Sequence, residues 1–279
     1  MRHLAVLVLL GLAQAVAAEP ARIVTLAPHL AEMVFAAGAG ERLVGSVAHT
    51  DYPEAAKALP RVGDAFGVDA ERLVALQPDL VLAWEGGNPA LVIDRIRALG
   101  IRVEALPATG VEDVPDQLET IGALAGTPDT AGRAARAYRQ QIDRLRAAHR
   151  IATPLRVFYQ ISARPLYTVG ADQPISALIE LCGGSNVFGD AGRGAFVVSR
   201  EAVIARDPEL ILAGGDSSSK DFAQWRELRG LTAADAGNLL QVNADYVARP
   251  GPRLALGAAD VCAAMDQARR ALGRETSRD

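Results

Sequence analysis

The segment from Val68 to Ala83 (VDAERLVALQPDLVLA) returns, with substitutions, from Val198 to Ala213 (VSREAVIARDPELILA). The offset is constant, since 201 − 71 and 208 − 78 both give 130. Each copy reads as a short helix, a turn forced by proline and a buried strand. Glu71 and Glu201 stand in the first helical turn, where an acid faces the positive end of the helix. Pro78 and Pro208 cannot continue the helix and push the preceding residue out of the right-handed α region. Leu80–Ala83 and Leu210–Ala213 are short apolar runs, as expected of parallel strands covered on both faces. One repeat at nearly half the chain length predicts two similar lobes, because solenoid arrays need several shorter units.

Half of the 279 residues are hydrophobic, enough for two cores. A net charge of −4 without a basic stripe argues against nucleic-acid binding. Met1-Arg2-His3, the apolar run Leu4–Leu12 and the small-x-small site Ala15-Val16-Ala17 predict a cleaved secretory signal over residues 1–18. The rival, an uncleaved anchor, is disfavoured by the shortness of the run. Export puts Cys182 and Cys262 in an oxidising compartment, where they can bridge; the alternative is two free buried thiols.

Strands and helices alternate along both halves, the signature of an α/β fold with parallel sheets. The expected plan is an N-terminal α/β lobe over 19–127, one long linking helix over 128–150 and a C-terminal α/β lobe over 151–279. The linking helix follows from the Ala-, Arg- and Gln-rich stretch Thr130–His149, whose composition favours helix. Ile161–Tyr167, the Gly-rich stretch around Gly189–Gly194 and Tyr246–Pro252 read as loops.

Enzyme signals are poor: there is no G-x-S-x-G, no phosphate-binding G-x-x-x-x-G-K-[ST] and no H-E-x-x-H. His29, His49 and His149 are not spaced as a metal site, and His29 and His149 read as structural and surface residues respectively. Open parallel sheets bind ligands at the carboxyl ends of their strands, which singles out the loops there. Those loops carry His49, Tyr52, Phe66, Trp84, Gly86 and Gly87 in the first lobe, and Tyr167, Asp245, Tyr246 and Arg249 in the second. Trp84 offers a flat apolar face, and Gly86 and Gly87 behind it would let a bulky ligand approach; equally, the ring could pack on its own lobe. Any one of the others alone is an ordinary surface or packing residue.

Ile23-Val24-Thr25-Leu26-Ala27-Pro28, Thr50-Asp51-Tyr52-Pro53, Ala83-Trp84-x-Gly86-Gly87-Asn88, Cys182-Gly183-Gly184-x-Asn186 and the two Glu units together resemble the periplasmic cobalamin-binding proteins of ABC importers. These belong to a wider family that also carries haem and iron siderophores. The resemblance spans essentially the whole mature chain. It implies two Rossmann-like lobes joined by the long helix, a ligand cleft between them, no catalysis and no cofactor beyond the transported corrinoid. It also implies that Glu71 and Glu201 dock onto arginines of a permease dimer, one per subunit. The expectation is a monomeric periplasmic receptor for cobalamin, with a haem or siderophore receptor as the alternative and an exported α/β enzyme as a third. His49 bears on that choice, because a cleft histidine can ligate haem iron or cobalt.

Overall fold

The computed structural model describes residues 19–64, 66–107, 110–150, 152–214 and 222–274. The expected signal segment and residues 215–221 lie outside the described residues. In the N-terminal lobe, β1 (Ile23–Thr25), β2 (Leu43–Gly45), β3 (Leu80–Glu85) and β4 (Val103–Pro107) form one parallel sheet in the order β2-β1-β3-β4. Helices α1 (Pro28–Ala36), α2 (Ala70–Ala75), α3 (Ala90–Ala98) and α4 (Asp113–Leu124) connect the strands. Ile23, Val24, Leu80, Val81 and Leu82 are all buried, which is why these runs are apolar throughout rather than alternating.

The C-terminal lobe repeats the plan. Its parallel sheet uses β5 (Leu155–Gln160), β8 (Gly184–Asn186), β10 (Leu210–Gly214) and β11 (Leu239–Val242) in the order β8-β5-β10-β11. Strand for strand this matches the first lobe, with β5 in the place of β1 and β10 in the place of β3. In both, the connections leave in opposite directions on either side of the first strand, which opens a crevice at the carboxyl edge. The repeated unit is α2–β3 in one lobe and α7 (Arg200–Arg206)–β10 in the other. The side chain of Asp69 caps α2 by accepting from the amides of Glu71 and Arg72, and Ser199 caps α7 through Ala202 N. Gln77 and Asp207, the residues before the two prolines, have φ of 46° and 40°. They leave the right-handed region as expected, but into the left-handed one rather than the extended one, so each helix turns directly into its strand.

Sequence patterns miss a second, antiparallel sheet in this lobe. β6 (Ser162–Ala163), β7 (Leu166–Val169) and β9 (Ala195–Val197) pair in the order β6-β7-β9 across stretches that read as loops. Strands of two to four residues carry too few alternations for the period to show. The remaining helices are α6 (Pro174–Leu181), α8 (Ala223–Arg226), α9 (Thr232–Asp235), α10 (Ala244–Val247) and α11 (Leu254–Ala271). α10 replaces part of the expected 246–252 loop; at four residues it is too short to show a helical period.

α5 (Pro128–His149) packs on α4 and α1 of the first lobe and on α6 and α11 of the second. Its buried face is Ala131, Ala135, Tyr138 and Ile142, a helical spacing of apolar residues on an otherwise charged helix. His149 is not the solvated residue that the sequence suggests. Its Nδ1 lies 2.8 Å from the Leu145 carbonyl and its Nε2 3.2 Å from Asp266 of α11, so it fastens the end of α5 to the second lobe. Cys182 and Cys262 form a disulfide joining the end of α6 to α11. Beside it the fully buried Arg269 donates to the carbonyls of Cys182, Gly183 and Thr153, satisfying acceptors left open at the end of α6.

Candidate functional site

The two lobes meet where the carboxyl ends of their sheets face each other, through one ionic cluster. α1 follows β1 directly, and its apolar faces bury the helix so fully that Glu32 is carried under the surface with it. From the other lobe, Arg253 reaches Glu32 with Nε at 2.9 Å and Nη2 at 2.6 Å, a two-point contact on one carboxylate. Arg249 lies between three acids: Asp51 at 2.6 Å, Asp245 at 2.8 Å and Glu32 at 3.7 Å. Its hydrogen bond holds the Asp51 carboxyl below the usual carboxylate range. The Arg253 guanidinium also sits over two rings, Tyr52 at 4.3 Å and Tyr246 at 5.3 Å. Gly251 completes the approach: a Cβ there would come within 3.3 Å of the His29 Cβ, so a bare backbone passes close to α1.

The loop bearing Asp51 and Tyr52 is held by a buried chain of hydroxyls, Thr25 to Ser46 to Thr50, each step 2.8 Å. Arg61 closes the other side, donating to the Thr50 carbonyl at 2.6 Å. At the end of β3, Asn88 pins the turn that carries Trp84. Its Oδ1 accepts from Trp84 N at 2.7 Å, and its Nδ2 donates to Leu26 O at 3.0 Å, tying β3 back to β1.

Trp84 is half-buried and lies T-shaped to His29, with 5.0 Å between ring centroids. The two glycines behind it have local reasons. Gly86 has φ of +81°, which the turn requires. A Cβ on Gly87 would fall 2.0 Å from Trp84 Cε3, so Gly87 makes room for the indole itself. His29 is buried, and its imidazole titrates at about 3, lowered first by burial and then by the charge of Arg249.

Of the residues singled out from sequence, Tyr52, Asp245, Tyr246 and Arg249 come together in the cluster, and Trp84 adjoins it through His29. Arg249 does not face the space between the lobes unpartnered, since its donors engage acids. His49 is exposed, with φ of 63°, in the loop just before Asp51. Phe66 is 76% exposed and borders a hollow of about 230 Å³ with Val68, Val92, Ile96 and Leu99. That lining belongs wholly to the first lobe, so the hollow is not the interlobe space. Tyr167 is part-buried on β7, opposite Ser162 and Val197. Among the described residues no hydrogen bond, ion pair or ring contact links His49, Phe66 or Tyr167 to the cluster.

Sequence reasoning missed Glu32, Arg253 and the role of His29. A signal was available for two of them: Glu32 is the one acid within the apolar stretch from Leu30 to Ala36, and Arg253 follows Arg249 at helical spacing. Among the described residues no group of three or more His, Cys, Asp or Glu is placed to hold a metal ion. The junction of the lobes thus carries fixed ion pairs, with Tyr52 over Arg253 and Trp84 beside His29.

The periplasmic binding protein family model matches residues 23–246, spanning both lobes and the helix between them. The chain belongs to that family. The family is one of periplasmic binding proteins, which places the chain in the periplasm. The chain is 38% identical over 252 residues to a vitamin B12-binding protein of Pectobacterium atrosepticum, covering 88% of each sequence. Its fold superposes on the periplasmic vitamin B12 binding protein BtuF of Vibrio cholerae with a TM-score of 0.83 and 31% identity, over 90% of this chain and 99% of that one. The periplasmic haem-binding protein RhuT of Roseiflexus is similar at a TM-score of 0.76 and 26% identity, over 88% and 98% of the two chains. The two-lobe α/β expectation agrees with these superpositions.

Proposed function

We infer that this periplasmic binding protein captures cobalamin between its lobes and delivers it to the permease of an ABC importer. The observation that carries the inference is the likeness to vitamin B12-binding proteins over nearly the whole of both chains. It is supported by the Trp84–Asn88 turn, whose indole stands beside the interlobe cluster. Mature protein beginning at residue 19, after signal removal, mixed with cyanocobalamin and passed through a sizing column, should carry the pigment and elute as a monomer. Haemin is the control, and retention of haemin with loss of cobalamin would replace this reading by the second.

That second reading, a haem receptor, is favoured by the likeness to RhuT and by His49, exposed in the loop just before Asp51. In His49→Ala the spectrum of bound cyanocobalamin should match the parent. A shifted spectrum would make His49 an axial ligand, because axial ligands set the electronics of the metal.

Docking is assigned to Glu71 and Glu201, exposed at matched places on the two lobes. Asp69 and Ser199 cap the two helices, so the acids are not needed as caps, although each still faces a helix dipole. Glu71→Gln and Glu201→Gln should each keep cobalamin binding and weaken permease binding, most visibly at moderate salt. Transport at the parental rate in both variants would leave the dipole as their whole role.

A further inference from the structure

The two copies of the repeated helix share more than their acids. Leu73 and Val203 face inward at matched positions and are fully buried. Outward, at spacings of three and four residues that place them on one face, stand Glu71, Val74 and Ala75 on α2 and Glu201, Ile204 and Ala205 on α7. All six are exposed, Val74 by 49% and Ile204 by 38%.

A single exposed Val or Ile needs no explanation. The comparison between the copies is what informs. Elsewhere on the surface of the unit the copies have diverged: Ala70 against Arg200, Arg72 against Ala202, Gln77 against Asp207. Within the helix, besides the buried Leu73 and Val203, the outward face is kept, as Glu-x-x-(Val/Ile)-Ala. Core packing does not account for this, because none of these side chains is buried. Helix stability does not account for Val74 and Ile204 either, since β-branched residues are poorer helix formers than the Ala, Arg or Lys that a solvated position accepts.

We propose that Val74 with Ala75, and Ile204 with Ala205, are paired apolar seats that dock on the same membrane partner as Glu71 and Glu201. The proposal rests on the docking reading of those acids. Two equivalent patches on one chain call for two equivalent acceptor surfaces, each offering an apolar hollow beside a cation. The cation answers the Glu and gives the contact its salt dependence. The hollow answers the β-branched side chain and its neighbouring Ala, and contributes at every ionic strength because apolar burial is not screened. Both seats act from one chain, so weakening them together is felt at both ends of the interface.

The test is binding of the mature protein to its cognate permease complex in nanodiscs, measured from about 0.05 to 0.5 M salt. Val74→Thr with Ile204→Thr keeps β-branching and the fold. It should lower affinity about tenfold at every salt and leave the salt slope unchanged. Val74→Asp with Ile204→Asp should abolish binding. Glu71→Gln with Glu201→Gln should instead flatten the slope. All three variants should bind cyanocobalamin as the parent does. If the Thr and Asp variants dock like the parent while the Gln variant weakens, the seats are refuted and the docking of the acids stands. If neither class weakens, the docking reading itself fails and takes the seats with it. If the parent self-associates in solution and the Thr variant abolishes this without affecting docking, the patches belong to a contact between copies and the proposal is overturned.

Discussion

Arg253 grips both carboxylate oxygens of Glu32 across the junction of the lobes, at 2.9 and 2.6 Å, and Glu32 is almost wholly buried. The contact raises the Arg253 guanidinium further above its ordinary range. A buried pair of this kind stabilises little relative to an apolar isostere, yet removing one partner strands the other charge. Arg253→Met should therefore lower the unfolding free energy by roughly 2–4 kcal/mol, with Arg249 at 3.7 Å softening the loss. Glu32→Gln added to it should restore part of the difference. Urea unfolding of the parent, single and double variants checks both, and a single-variant loss below about 0.5 kcal/mol would make the bridge dispensable.

His29 gives the fold a pH dependence whose sign follows from its burial. Its folded pKa of about 3 lies below the ordinary value of 6.5, so between those values the unfolded chain binds the extra proton. Stability is then full above about pH 6.5 and falls as pH drops toward 3, at up to about 1.4 kcal/mol per pH unit. Asp51, also held low, adds a loss only at more acid pH, through the carboxylate range. His29→Phe keeps an aromatic edge against Trp84 and cannot be protonated. Denaturant unfolding at pH 7 and at about pH 5 should show a clear loss in the parent and a flatter profile in the variant. Equal slopes in the two would show that His29 does not titrate against folding.

The disulfide closes a loop of 80 residues, which in the chain-entropy model is worth about 4 kcal/mol. Native-state relaxation and residual structure in the unfolded chain reduce such figures, so Cys182→Ala with Cys262→Ala should cost about 2–4 kcal/mol. Cobalamin affinity should hold, because the bridge sits among α6, α11 and the end of α5, away from the ionic cluster. A denaturation midpoint equal to that of the oxidised parent would remove the bridge from the stability of this fold.

How much of this was legible follows from the physics of each signal. The α2–β3 and α7–β10 units were readable because caps, prolines and continuous apolar runs point the same way at two places. The linking helix was readable because it is long. The β6-β7-β9 sheet and α10 were not, since elements of two to four residues hold no period. In the site, Tyr52, Asp245, Tyr246 and Arg249 could be located by the rule that ligands sit beyond strand ends. That Arg249 is spent on Asp51, or that Glu32 waits under α1 for Arg253, is decided by contacts about two hundred residues apart in sequence. Local pattern has no access to such pairs.

Trp84 concentrates the question of what the site holds. Its backbone is fixed by Asn88 and its ring is steadied by the T-shaped contact with His29, so the indole is set in place before any ligand arrives. A ring held that way offers flat contact at little ordering cost, which suits a broad, partly apolar macrocycle. Trp84→Ala should weaken cobalamin binding by about 1–3 kcal/mol and leave the lobe folded. Truncation alone does not separate contact from placement, but Gly87 does. A methyl group there would fall 2.0 Å from Trp84 Cε3 and must turn the indole aside while leaving every ring atom present. Gly87→Ala should therefore lose affinity in the same direction as Trp84→Ala, and the double variant should lose little more than Trp84→Ala alone. Calorimetry with cyanocobalamin reads all three. Parental affinity in Trp84→Ala would take the indole out of the site, and additive losses would show that Gly87 acts on the ligand independently of the ring it shelters.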